Sequence, residues 1–96
     1  MKPRVTACVR AGGTFELLLN ESGRDLLVEE LQRLDRRWDH FHLDHFGGRE
    51  DVGAIDIALS VVPYRHGDTV FEHGKVLLRP DDWDQKYFPH VLEPDV

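Results

Sequence analysis

His40-Phe41-His42-Leu43-Asp44-His45 is the stretch on which the fold turns. Taken as a motif it is H-x-H-x-D-H, three imidazoles and a carboxylate within six residues, a density that suits metal coordination. Taken by periodicity it is a strand. Phe41 and Leu43 fall on one side, and His40, His42 and Asp44 on the other, the alternation of a sheet with one apolar and one polar face. The flanking sequence favours the strand: a helix-like segment runs directly into it, and Gly47-Gly48 closes it.

Working backwards, residues 23–37 carry Leu27, Leu31, Leu34 and Trp38 at helical spacing, widened by Leu26 and Val28. Ser22 is placed to cap this helix, with Asp25 completing an S-x-x-D capping box. Further back, Arg4–Arg10 and Thr14–Asn20 alternate as two strands joined through Ala11-Gly12-Gly13, a hairpin turn. Working forwards, Ala54–Val62 alternates Ile55, Ile57, Leu59 and Val61 with smaller or polar residues, and Pro63 ends it. A turn at His66-Gly67-Asp68 precedes a short edge strand at Thr69–Glu72 and a last strand at Lys75–Arg79. Pro80-Asp81-Asp82 opens a short helix through Tyr87, with acids at its positive end. The order β-β-α-β-β-β predicts a two-layer α+β fold. Its antiparallel sheet of about five strands is covered on one face by one amphipathic helix. Ninety-six residues are read as a single domain, 1–96, with residues 80–96 an acidic, aromatic tail.

Composition narrows the function. No apolar run approaches the roughly 18 residues of a membrane span, so no membrane partner is expected. The basic start Met1-Lys2-Pro3-Arg4-Val5 runs into Thr6, Cys8 and Arg10, without a signal-peptide core. With a single cysteine, no internal disulfide is available, and a cytoplasmic setting is expected. Cys8, in an alternating segment, reads as a packing residue and not a nucleophile. The net charge is −6, and the acid lies in two blocks, residues 38–56 and 80–96. That distribution argues against nucleic acid and suits a basic partner.

The metal reading has two forms. The H-x-H-x-D-H pattern resembles the ligand motif of metallo-β-lactamase-like hydrolases, but that fold takes roughly twice this length and draws its ligands from loops. A smaller site could still use His40, His42, Asp44 and His45, because strand neighbours two apart lie about 6–7 Å from each other and share a face. A solvent-facing polar row explains the same residues with fewer requirements. No P-loop, G-x-G-x-x-G, G-x-S-x-G or C-x-x-C is present. The acids of Asp81, Asp82 and Asp84 are explained by the start of the terminal helix. Trp83 beside them has the aromatic-with-acid character of many protein interfaces. No enzyme activity and no cofactor are therefore expected.

Phe15-Glu-Leu-Leu-Leu, the Ser-Gly-x-x-x-Leu helix start at Ser22–Leu27 and the D-H-x-H-L core at Asp39–Leu43 together resemble the immunity protein 32 family, over about residues 14–62. The resemblance implies a small bacterial cytoplasmic protein that neutralises a cognate toxin. Residues 63–96 depart from the family pattern. On this reading the chain is a non-enzymatic binding protein, monomer or homodimer, that occludes a protein partner such as a basic toxin domain. Its contact residues would be Asp39, His40, His42, Asp44, Glu50, Asp51, Asp81, Asp82, Trp83 and Asp84. The rival is a metal-dependent hydrolase or metal-binding module built on His40, His42, Asp44 and His45.

Overall fold

A computed structural model of the chain describes residues 2–45 and 56–93. Alternation of apolar and polar residues produces the first hairpin, β1 (Val5–Val9) and β2 (Phe15–Leu19), paired antiparallel with Val5 opposite Leu19 and Val9 opposite Phe15. Gly13 takes φ +89° in the connecting turn, a conformation that favours glycine. Helix α1 (Glu21–Arg33) follows at once. Its cap is Asn20, not Ser22. The Asn20 carboxamide oxygen accepts from the amides of Gly23 (2.7 Å) and Arg4 (2.8 Å), and its nitrogen donates to the Lys2 carbonyl (2.9 Å). One side chain thus ends β2, starts the helix and ties both to the strand beside them, which Ser22 two residues later cannot do.

The helix also stops earlier than residue 37. Leu34 turns extended, and the Asp35 carboxylate accepts from the amides of Arg37 (2.9 Å) and Trp38 (2.7 Å), drawing the chain into a turn. The buried face is accordingly rotated from the predicted stripe. Gly23, Leu26, Leu27, Glu30 and Leu34 face inward, while Leu31 and Trp38 are exposed.

The remaining elements are β3 (His40–Asp44), β4 (Ile57–Ala58), β5 (Thr69–Val70), β6 (His73–Leu77), α2 (Asp81–Tyr87) and a terminal 3-10 turn at Pro89–Leu92. They do not form the single five-stranded antiparallel sheet that the alternation suggests. Among the described residues two three-stranded sheets are present, in the orders β2-β1-β5 and β4-β3-β6. The β3–β4 pair is parallel. Residues 45–56 separate those two strands, about the dozen that a parallel crossover requires, whereas a hairpin needs only a short turn. The sheets meet where Val5 bridges Leu59, with the Ser60 amide donating to the Val5 carbonyl (2.8 Å). They meet again through residues 69–77, which pair first with β1 and then with β3.

The core lies between the sheets and under α1. Val5, Ala7, Phe41, Ile57 and Leu59 form its centre, with Leu19, Leu26, Leu27, Leu34, Leu43 and Val76 packed around them. Phe41 and Ile57 are fully buried, as their alternation predicts; Ile55 lies outside the described residues. On the other face of β1, Thr6 and Cys8 are buried as well. The segment around Tyr64 and Arg65 crosses there, held by a hydrogen bond from Arg4 Nε to the Tyr64 hydroxyl (3.2 Å) and by the Arg65–Glu16 ion pair. Cys8 is thus a packing residue. Among the described residues, no helix is long and apolar enough to cross a membrane.

Candidate functional site

Because β3 buries Phe41, its odd-numbered neighbours point into the core and its even-numbered ones onto the outer face of the second sheet. The register with β6 sets His40 opposite Leu77, His42 opposite Lys75 and Asp44 opposite His73. On the other side of β3, Asp44 lies opposite Ala58. The outer face therefore gathers His40, His42 and Asp44 with His73, Lys75 and Leu77. Asp56 joins them, two residues before Ala58.

Each histidine of this face is matched to a carboxylate. His40 Nδ1 lies 2.8 Å from Asp39, and His73 Nδ1 lies 2.5 Å from Asp44. His42 Nδ1 lies 3.6 Å from Asp56, whose carboxylate also accepts from the His42 backbone amide at 2.8 Å. The hydrogen bond to His40 holds the Asp39 carboxyl below the ordinary carboxylate range; nearby positive charge from His40 and Arg79 adds to this, against a desolvation cost. Aromatic contacts line the rings up. Trp38 stacks parallel to His40 at 6.4 Å, His40 meets His42 edge-on at 5.0 Å, and the Arg33 guanidinium caps the Trp38 ring at 5.8 Å. Between His42, Asp44, His73 and Lys75 lies a shallow depression of about 280 Å³.

The fourth histidine of the run goes elsewhere. His45 Nδ1 approaches the Leu59 carbonyl at 3.3 Å, on the Phe41 side of the strand. His40, His42, Asp44 and His45 consequently do not converge on one point. Among the described residues, no group of three His, Cys, Asp or Glu side chains could hold a metal ion.

Two acids of the C-terminal tail, Asp82 and Asp84, are already paired with arginines. Asp82 accepts both guanidinium nitrogens of Arg36, at 2.7 and 2.9 Å, and those hydrogen bonds hold its carboxyl low. The same guanidinium covers the Trp83 ring at 5.8 Å. Asp84 is buried against Arg79, at 2.5 and 2.9 Å, fastening α2 to the end of β6. Asp81 is exposed. Asp84 is thus placed to hold the tail, while Asp81, Asp82 and Trp83 remain on or near the surface. Glu50 and Asp51 lie outside the described residues. The Asp39 end of the face adjoins the tail, since the Leu78 amide donates to the Asp39 carbonyl at 2.7 Å and Arg79 follows directly.

Sequence reading missed Asp56, His73, Lys75 and Trp38 as members of this surface. Trp38 was assigned to the helix stripe. The other three reach the face only through strand register, which no local pattern encodes. No protein-family model matches the chain, and neither does any curated protein or solved structure.

Proposed function

We propose that this chain is a non-enzymatic binding protein that occludes a basic protein partner, with a bacterial toxin domain as the partner class and the cytoplasm as the setting. The observation that carries this reading is the outer face of β3 and β6. An aromatic column of Trp38, His40 and His42 there is flanked by Asp39, Asp44 and Asp56, and among the described residues no helix covers it. Tryptophan with paired polar groups at its rim is the composition of a binding hot spot. The net charge of −6 favours fast encounter with a cationic surface. Asp39, His40, His42, Asp44, Asp81, Asp82 and Trp83 supply the contacts, with Glu50 and Asp51 assigned from sequence. Resemblance to immunity protein 32 supplies the toxin class.

The test is co-expression with the protein encoded by the neighbouring gene, which on this reading carries a toxin domain. Growth rescue and a co-purifying complex are expected with the natural chain. Trp38→Ala combined with Asp56→Lys should abolish both while leaving the far-ultraviolet spectrum unchanged. Failure of the natural chain to rescue growth or form a complex would refute the proposal.

A further inference from the structure

Among the described residues the outer edge of β2 has no strand partner, and its hydrogen-bonding groups can be assigned. Asn20 donates from its amide to the Arg4 carbonyl, and the Thr14 carbonyl accepts from Arg10, so the even-numbered residues of this strand face β1. Antiparallel alternation then turns the N–H and C=O groups of Phe15, Leu17 and Leu19 to the open side. Monomeric proteins usually blunt such an edge with lysine, proline or a bulge. Phe15-Glu16-Leu17-Leu18-Leu19 carries neither residue and pairs with β1 without a bulge.

Apolar side chains accompany the open edge. Phe15 is 59% exposed and Leu17 40%. A hollow lined by Leu17, Leu19, Asn20, Glu21 and Arg24 shows which flank of α1 adjoins β2. Val28 and Leu31 follow Arg24 at i+4 and i+7 on that flank, each 45% exposed. Together the four side chains present roughly 350 Å² of apolar surface, taking about 150–250 Å² for a fully exposed large side chain. A standard interface buries about 800 Å² per partner, a little over half of it apolar.

We infer that this surface is occupied by a second copy of the chain, paired antiparallel through β2. A two-fold axis at Leu17 sets Leu17 against its own copy and Phe15 of one protomer against Leu19 of its partner, each pair exchanging both backbone hydrogen bonds. The same axis sets Glu16 opposite Leu18, so no like charges face each other across the new ladder. Within each chain Glu16 is neutralised by Arg65 and Arg24 by Asp25. That matters for two chains of net charge −6, which would otherwise repel. The α1 flanks come together beside the joined sheet, covering Val28 and Leu31, and the histidine face stays free for its own partner.

Light scattering after size exclusion tests this at about 100 μM chain, since dimer population depends on concentration. The natural chain should give twice its 11.1 kDa mass. Leu17→Lys and Val28→Glu should each return the single-chain mass with unchanged circular dichroism, and His42→Ala should remain dimeric. Should Leu17→Lys unfold, Val28→Glu decides. Amide exchange at Leu17 and Leu19 should be slow in the natural chain and fast in the monomeric variant. A natural chain that stays at 11.1 kDa, a dimer that survives both substitutions, or fast exchange at Leu17 in the dimer would overturn the inference.

Discussion

Replacing Gly23 by alanine should destabilise this protein, although helix propensity alone predicts the opposite. In an unconstrained helix, alanine is more stable than glycine by about 0.5–1 kcal/mol. Here a β-carbon at residue 23 would stand 2.3 Å from the Arg4 carbonyl oxygen and 3.0 Å from its carbonyl carbon. Carbon–oxygen contacts normally begin near about 3.3 Å, so the first turn of α1 would have to retreat from β1 by roughly 1 Å. The obstacle is backbone and cannot rotate away. Retreat also strains the cap, because Asn20 holds the Gly23 and Arg4 amides with the same oxygen. Overpacking costs about 1–3 kcal/mol and a weakened N-cap about 1 kcal/mol. Set against the propensity gain, the net loss is about 2 kcal/mol, which lowers Tm by roughly 10 °C in a domain of this size. Thermal and urea unfolding of Gly23→Ala should be compared with Gly12→Ala, where the added carbon meets nothing within 4 Å. If Gly23→Ala unfolds at or above the temperature of Gly12→Ala, the close approach of helix and strand is wrong.

Glu30 is buried on the core side of α1, with Oε1 paired to Arg33 and Oε2 without a hydrogen-bond partner. Glu30→Met should therefore raise stability by about 1–3 kcal/mol, read as a higher urea midpoint; a lower midpoint would show that the carboxylate stabilises the fold. Acid should loosen the tail. Asp82 has a folded pKa held below its unfolded value by the hydrogen bonds to Arg36, so its stabilising contribution is complete above about pH 4 and is lost as pH falls through the lowered value. Trp83 fluorescence in a Trp38→Phe background should report that transition below about pH 4, and Arg36→Gln should remove it; an unchanged transition would place its origin elsewhere. Protein purified without a histidine tag should carry only substoichiometric zinc, iron or manganese by elemental analysis, because His45 turns away from His40, His42 and Asp44. A stoichiometric metal lost on His42→Ala would restore the metal-binding reading.

What could be read from the sequence follows the range over which each signal acts. The β1–β2 hairpin, the strand at His40–Asp44 and the helix at Asp81–Tyr87 come from alternation and turn chemistry within a few residues, and they lie close to where those patterns put them. The start of α1 was misplaced because Ser22 and Asn20 are both competent caps. Only the fold reveals that Asn20 can also reach Arg4 and Lys2 across the neighbouring strand. The Asp35 turn at the other end carries Trp38 out of the helix, and the packed helix buries Glu30 and exposes Leu31. The parallel β4 strand and the division into two sheets depend on pairings between distant segments, for which periodicity carries no information.

The same distinction separates the two readings of the histidine run. A strand commits alternate residues to opposite faces, so His42 and His45, three apart, cannot share a side while β3 stays regular between them. His40 and Asp44, four residues apart in an extended strand, are also separated by roughly 13 Å, so a metal held by all four donors would need β3 itself to bend, and bending it would withdraw Phe41 from the centre of the core. Removing a buried phenylalanine side chain costs about 3–5 kcal/mol, a large part of the roughly 5–15 kcal/mol that holds a small domain together. The burial of Phe41 therefore argues against gathering the run around an ion, and it leaves His40, His42 and Asp44 facing outward with His73 and Lys75. In the proposed binding role, these histidine–carboxylate pairs would meet the partner, and the aromatic column through Trp38 would be the apolar centre of the contact.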